Sequence, residues 1–138
     1  MTTIYLLAAA PGSGKTWVGR QVGGKFEYVE NDAYIGQPYQ NYLNAVATAS
    51  RKGPKPVLAE TPQSVSRILD PLTRLGFDVR PLFILESPDI TSARYWQREN
   101  RPIPKQHLSL IKTYTERAIS MGAPCGTSTE ILRYLQQV

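Results

Sequence analysis

The stretch Thr3-Ile4-Tyr5-Leu6-Leu7-Ala8-Ala9-Ala10-Pro11-Gly12-Ser13-Gly14-Lys15-Thr16 decides how the rest of the chain is read. Residues 3–9 form an apolar run of the kind that makes a parallel strand buried on both faces, and Lys15 to Val22 reads as helix. Between them, Ala9 to Thr16 follows the pattern G-x-x-x-x-G-K-[ST], with alanine in the first glycine position. Such a loop must bend tightly enough for several backbone N–H groups to converge on one hollow, and glycines at 12 and 14 tolerate the positive φ this requires. The spacing predicts a phosphate-binding loop in which Gly12, Ser13, Gly14, Lys15, Thr16 and Trp17 hold a polyphosphate at the start of a helix. Lys15 then reaches the β- and γ-phosphates and the Thr16 hydroxyl ligates a bridging Mg²⁺, so the implied cofactors are ATP and Mg²⁺.

Working outward, the 138-residue chain is long enough for one domain around one core, and 41% hydrophobic with 20% charged residues is an ordinary globular composition. A net charge of +5 favours an anionic partner, whether nucleic acid, a nucleotide or ATP itself. A single cysteine, Cys125, supplies neither an intramolecular disulfide nor a cysteine-based zinc site, a usage that suits a reducing cytoplasm. No basic-then-apolar leader and no apolar run of ~20 residues stands out, so neither targeting nor a membrane partner is expected.

Carboxylates follow two of the next strands. Phe26 to Val29 alternates as a short strand and is followed by Asp32; Pro56 to Ala59 leads into Glu60 and Thr61. In a parallel sheet the carboxyl ends of the strands share one crevice, which brings Asp32, Glu60 and the phosphate loop together. Asp32 there accepts a proton from an acceptor hydroxyl or holds it in line, unless it merely caps the next helix. Glu60 suits a Mg²⁺-bound water, and Thr61 suits either the acceptor or a helix start before Pro62.

Helical spacing marks Tyr39–Arg51, Gln63–Leu75 and Lys105–Met121, with Pro71 predicting a kink or break in the second. Phe77–Leu85 is a fourth strand, placed at an edge or bulge by Pro81. Pro124-Cys125-Gly126 reads as a loop, and Thr127-Ser128-Thr129-Glu130 has capping-box spacing. His107 has no partner at metal-ligand spacing and reads as a surface or substrate-proximal polar residue. From residue 94 to 117, six cationic side chains face two acidic ones. Arg94, Arg98 and Arg101 share a face if the helix from about Ile90 to Glu99 continues, and the prolines at 102 and 104 end it. That is either a solvated basic face or a lid, at about residues 94–106, bringing cations over a γ-phosphate. The fold expected is a three-layer α/β/α sandwich with about four parallel strands.

The order of these motifs resembles the kinase domain of bacteriophage polynucleotide 5′-kinase: Ala9 to Trp17, then Glu30-Asn31-Asp32-Ala33-Tyr34, Val57 to Thr61, and Arg94 through Arg98 to Pro104. The resemblance spans nearly the whole chain. It implies Lys15 as γ-phosphate clamp, Thr16 as Mg²⁺ ligand, Asp32 as general base, Thr61 at the acceptor and Arg98 as lid arginine; Arg94 and Arg101 are expected as further substrate contacts from the shared basic face, not from the resemblance. That family carries an arginine three residues beyond the catalytic aspartate, where this chain has Ile35. The implied acceptor is a nucleic-acid hydroxyl, DNA above all: the hydroxymethyl group of a modified pyrimidine or a 5′-end. A small-metabolite or nucleotide kinase uses the same machinery and is the alternative, and a nucleotide-dependent switch without transfer is a third reading.

Overall fold

The computed structural model describes residues 2–10, 13–61 and 65–138. Within them the elements run β1 (Ile4–Ala9), α1 (Lys15–Gln21), β2 (Glu27–Val29), α2 (Tyr39–Arg51), β3 (Val57–Glu60), α3 (Ser66–Arg74), β4 (Val79–Ile84), α4 (Pro88–Glu99), α5 (Lys105–Met121), β5 (Cys125–Gly126) and α6 (Ser128–Gln136), with a 3₁₀ turn at Asn31–Tyr34. The sheet has five strands in the order β2-β3-β1-β4-β5, and every pairing is parallel.

β1 sits at the centre and is buried along its whole length. Its alternate residues serve opposite layers. Tyr5, Leu7 and Ala9 pack with Val18 and Val22 beside α1 and with Ile131 and Leu135 of α6. Ile4 and Leu6 pack instead against Val46 of α2 and Ile68 and Leu72 of α3, while Ala8 meets Tyr114 and Ala118 of α5. Burying an aliphatic side chain of this size contributes about 1.5–3 kcal/mol, so a strand with both faces covered anchors the three layers.

β1 is followed in sequence by β2 on one side of it, and β3 is followed by β4 on the other. The chain thus leaves adjacent strands β1 and β3 in opposite directions, opening a crevice at their carboxyl ends.

The structure corrects three local expectations. Residues 125–126 are a fifth strand: the Phe83 and Leu85 amides bond to the Pro124 and Gly126 carbonyls. Two residues cannot announce a strand by periodicity, since the pairing with β4 makes it one. β4 is therefore not an edge strand, and Pro81 is accommodated because its nitrogen lies on the β5 side, ahead of where that short ladder begins. Pro71 does not break α3, which runs from Ser66 to Arg74 with Ile68 and Leu72 fully buried on either side of it. One lost amide bond is outweighed by that packing. The predicted start of this helix at Gln63 falls outside the described residues.

Candidate active site

The carboxyl ends of the strands border a cleft of about 800 Å³ lined by Ala10, Gly14, Lys15, Thr16, Trp17, Asp32, Glu60, Arg94 and Gln97 to Glu99. Ala10 and Gly14 to Thr16 bring the described part of the phosphate loop to it. Gly14 has φ of 91° and ψ of 20°, a left-handed conformation, and a Cβ there would approach Ser128 Cβ to 3.1 Å and Arg94 Nη1 to 3.2 Å. The left-handed backbone favours glycine, and a side chain there would also push Ser128 and Arg94 back by a few tenths of an ångström. Ser13 is buried, its amide bonds to the Ala10 carbonyl at 3.1 Å, and its hydroxyl has no partner among the described residues. Gly12 lies outside the described residues.

Lys15 Nζ donates to the Thr61 carbonyl at 3.0 Å, which stretches the side chain across the loop to the end of β3. Burial pulls its pKa below that of an ordinary lysine, opposed by the charges of Glu60 and Asp32. Thr16 Oγ1 donates to Glu60 Oε2 at 3.2 Å, and Glu60, only 1% exposed, accepts a second bond from the Tyr28 hydroxyl on the same oxygen. Tyr42 of α2 donates its hydroxyl to the Glu60 carbonyl, pinning the β3 terminus from below. Burial, reinforced by Glu60, raises the pKa of both phenols, so both remain donors.

Asp32 comes from the 3₁₀ turn after β2 and is exposed on the cleft wall, where its carboxylate makes no hydrogen bond among the described residues. It does not cap that turn, which has no side-chain cap. Arg94 and Arg98, one turn apart on α4, form the opposite wall. Arg94 Nη1 lies 3.7 Å from Glu86 Oε1, and the nearly buried Glu86 also accepts from the Ser128 amide at 2.9 Å and its hydroxyl at 2.7 Å. Arg98 pairs with Glu99 at 3.1 Å and rests on the Tyr95 ring.

Two sequence-derived site residues are placed differently from the rest. α4 ends at Glu99 and Asn100 turns left-handed at φ of 54°, so Arg101 leaves the helical face. Its guanidinium lies 5.9 Å from the Tyr95 ring centre, and it is not among the cleft-lining residues. Thr61 is 0% exposed and donates its hydroxyl to the Leu7 carbonyl at 3.3 Å. It lies behind the cleft, where its carbonyl orients Lys15. Sequence reasoning missed Tyr28, Tyr42, Glu86, Gln97, Glu99 and Ser128. The Ser128 position was signalled only by the capping box at Thr127, which the structure contains in full.

A second hollow of about 330 Å³ opens beside the loop, lined by Gly14, Trp17, Arg94, Ser128 and Thr129. It shares Gly14, Trp17 and Arg94 with the cleft, and the Trp17 indole, 46% exposed, stands between them.

Solved structures share this fold. A gluconokinase from Sinorhizobium meliloti 1021 aligns over 99% of this chain and 90% of its own, at 19% identity and a TM-score of 0.63. The tunicamycin resistance protein of Deinococcus radiodurans aligns over 98% and 94%, at 13% identity and a TM-score of 0.66. Shikimate kinase from Acinetobacter baumannii, in complex with shikimate, aligns over 99% and 92%, at 17% identity and a TM-score of 0.62. The likeness is one of fold, the layered α/β/α P-loop NTPase fold. No family model and no curated protein sequence matches the chain. These structures carry the P-loop kinase part of the resemblance and lend no support to a nucleic-acid acceptor or a phage origin. Among the described residues no helix is long and apolar enough to cross a membrane.

Proposed function

We propose that this protein is an ATP-dependent kinase that phosphorylates a hydroxyl group of a small molecule. The observation that carries it is the convergence of Lys15, Thr16, Glu60, Asp32, Arg94 and Arg98 on one cleft at the carboxyl ends of parallel strands. A volume of about 800 Å³ is within the range of small-molecule sites, ~300–1,000 Å³. Two of the solved structures of this fold are named for small hydroxyl-bearing acceptors, gluconate and shikimate. Three residues beyond Asp32 stands Ile35, 72% exposed, where the polynucleotide kinases hold an arginine for a nucleotide phosphate.

The chain's residues divide the work. Lys15 and Arg94 bracket the phosphate loop and neutralise the polyphosphate, while the second hollow accepts the base against Trp17. Among the described residues no three acidic, histidine or cysteine side chains form a metal cage. Thr16 and Glu60, 3.2 Å apart, instead offer the sparse oxygen set that Mg²⁺ uses when phosphates and water complete its shell. Bound there, Mg²⁺ supplies charge neutralisation of the transferring phosphoryl group. Asp32, without a hydrogen bond among the described residues and exposed in the cleft, orients the acceptor hydroxyl and takes its proton. Arg98 faces it from α4 and balances charge on the phosphoryl oxygens as the bond to the leaving oxygen breaks.

The test is transfer of label from γ-labelled ATP, with Mg²⁺, to a panel of sugars, sugar acids, cyclic polyols, nucleosides, 5′-hydroxyl oligonucleotides and hydroxymethylpyrimidine DNA, with Asp32→Asn as control. Label on a small molecule, lost in the variant, is expected. Label confined to DNA restores the nucleic-acid acceptor, and ATP binding without transfer to water or any acceptor favours a nucleotide switch.

A further inference from the structure

Gly19 stands in the middle of α1, where glycine weakens a helix. Its role is steric: a Cβ at this position would come to 2.2 Å from the Tyr28 ring. The missing side chain lets Tyr28 pass from the edge strand β2 against α1 and place its hydroxyl on Glu60 Oε2. Tyr28 does not line the cleft; it reaches Glu60 from behind.

Glu60 Oε2 carries both of the carboxylate's donors, Tyr28 and Thr16 Oγ1, and Oε1 has no hydrogen bond among the described residues. Two donors on one oxygen fix the rotation of the carboxylate plane. They also commit the Thr16 proton to Glu60, which leaves the lone pairs of Oγ1 free. We propose that Tyr28 is a positioning residue for the divalent cation: admitted by Gly19, its hydroxyl locks Glu60 so that Oε1 and the Thr16 oxygen are both available to the cation or its water. The inference rests on the kinase reading above. Partners of this kind, one step removed from a metal, commonly govern its affinity because they set the orientation of the groups that hold it.

The experiment measures Mn²⁺ binding by electron paramagnetic resonance in the presence of β,γ-imido-ATP, for wild type, Tyr28→Phe, Gly19→Ala and the double variant. Nucleotide affinity in EDTA and melting temperature are followed alongside. Tyr28→Phe is expected to weaken Mn²⁺ about 10-fold, with nucleotide affinity in EDTA unchanged. Gly19→Ala, which displaces the ring by another route, is expected to weaken Mn²⁺ similarly. The double variant is expected to bind Mn²⁺ no worse than Tyr28→Phe while melting lower, because the alanine has no hydroxyl left to displace. Mn²⁺ affinity within about 2-fold of wild type in Tyr28→Phe, or additive losses in the double variant, would overturn the proposal. Should Tyr28→Phe not fold, an unchanged Mn²⁺ affinity in Gly19→Ala overturns it equally. Absence of Mn²⁺-dependent nucleotide binding in wild type would remove the kinase reading and this inference together.

Discussion

At the phosphate-loop end of the cleft Lys15, Thr16 and Glu60 are paired with one another or with the end of β3, whereas Asp32 at the other end faces solvent. Lys15, Thr16 and Glu60 are each held by a named partner, and Glu60 and Thr61 are buried beneath them. Asp32 has no hydrogen bond among the described residues, and its neighbour Ile35 is 72% exposed. The contrast follows from what each end must do. A polyphosphate has the same shape in every reaction, so fixed dipoles and charges can be aimed at it in advance without reorganisation. An acceptor varies, and the wall that receives it is carried on a 3₁₀ turn with no fully buried residue, tied to the core through the half-buried Tyr34 and exposed at Asp32.

The sharpest break in this comparison comes from Asp32→Asn. It is expected to lower transfer about 10³-fold, the scale of a lost general base, with nucleotide affinity read from Trp17 fluorescence unchanged. Loss of nucleotide binding in that variant would mean that the two ends are not separate.

The arginines test the wall opposite. Arg98→Ala is expected to cost about 10²-fold in kcat, and Arg101→Ala less than about 3-fold, because Arg101 stacks on Tyr95 outside the cleft. Equal losses would put Arg101 back at the site. A subtler effect is expected at the nucleotide end from Glu86→Gln, which keeps an acceptor for Ser128 but removes the charge that holds Arg94. ATP affinity should fall about 10-fold, equivalent to about 1.4 kcal/mol, with the acceptor KM unaffected.

The smallest effect concerns the cap that seats α6 against the loop. Thr127→Ala is expected to cost about 1 kcal/mol in urea unfolding. Hydrogen bonds to the Thr127 backbone and side chain hold the Glu130 pKa below that of an ordinary glutamate. The folded state thus favours the carboxylate, so its contribution is present above the pKa of an unfolded-chain glutamate and disappears as pH falls through the lowered one. The gap in melting temperature between wild type and Glu130→Ala should therefore be open at neutral pH and close on acidification.

How legible the site was depended on the distance over which each residue finds its partner. The phosphate loop is local: glycine, lysine and threonine within a few residues of a buried strand specify one turn whatever lies elsewhere. Asp32 and Glu60 were legible one step further, because parallel strands bring their carboxyl ends to a common edge. Tyr28 and Glu86 were not, since a tyrosine in a short strand and a glutamate before a turn look ordinary until their partners, 32 and 42 residues away, are known. Arg101 failed for the opposite reason: helical spacing was extended past a residue that turns left-handed and stops the helix.

By itself the sequence determined the layered α/β class, the phosphate loop, the bounds of α2 and α5 and the capping box of α6, because short-range sterics and apolar periodicity set all of them. Only the tertiary structure decided that two residues at 125–126 are a strand, that α3 survives Pro71, that Thr61 serves Lys15 from behind the cleft, and that Gly19 makes room for Tyr28 to reach Glu60. Each of these is a contact between distant segments, whose energy exists only once the layers have packed.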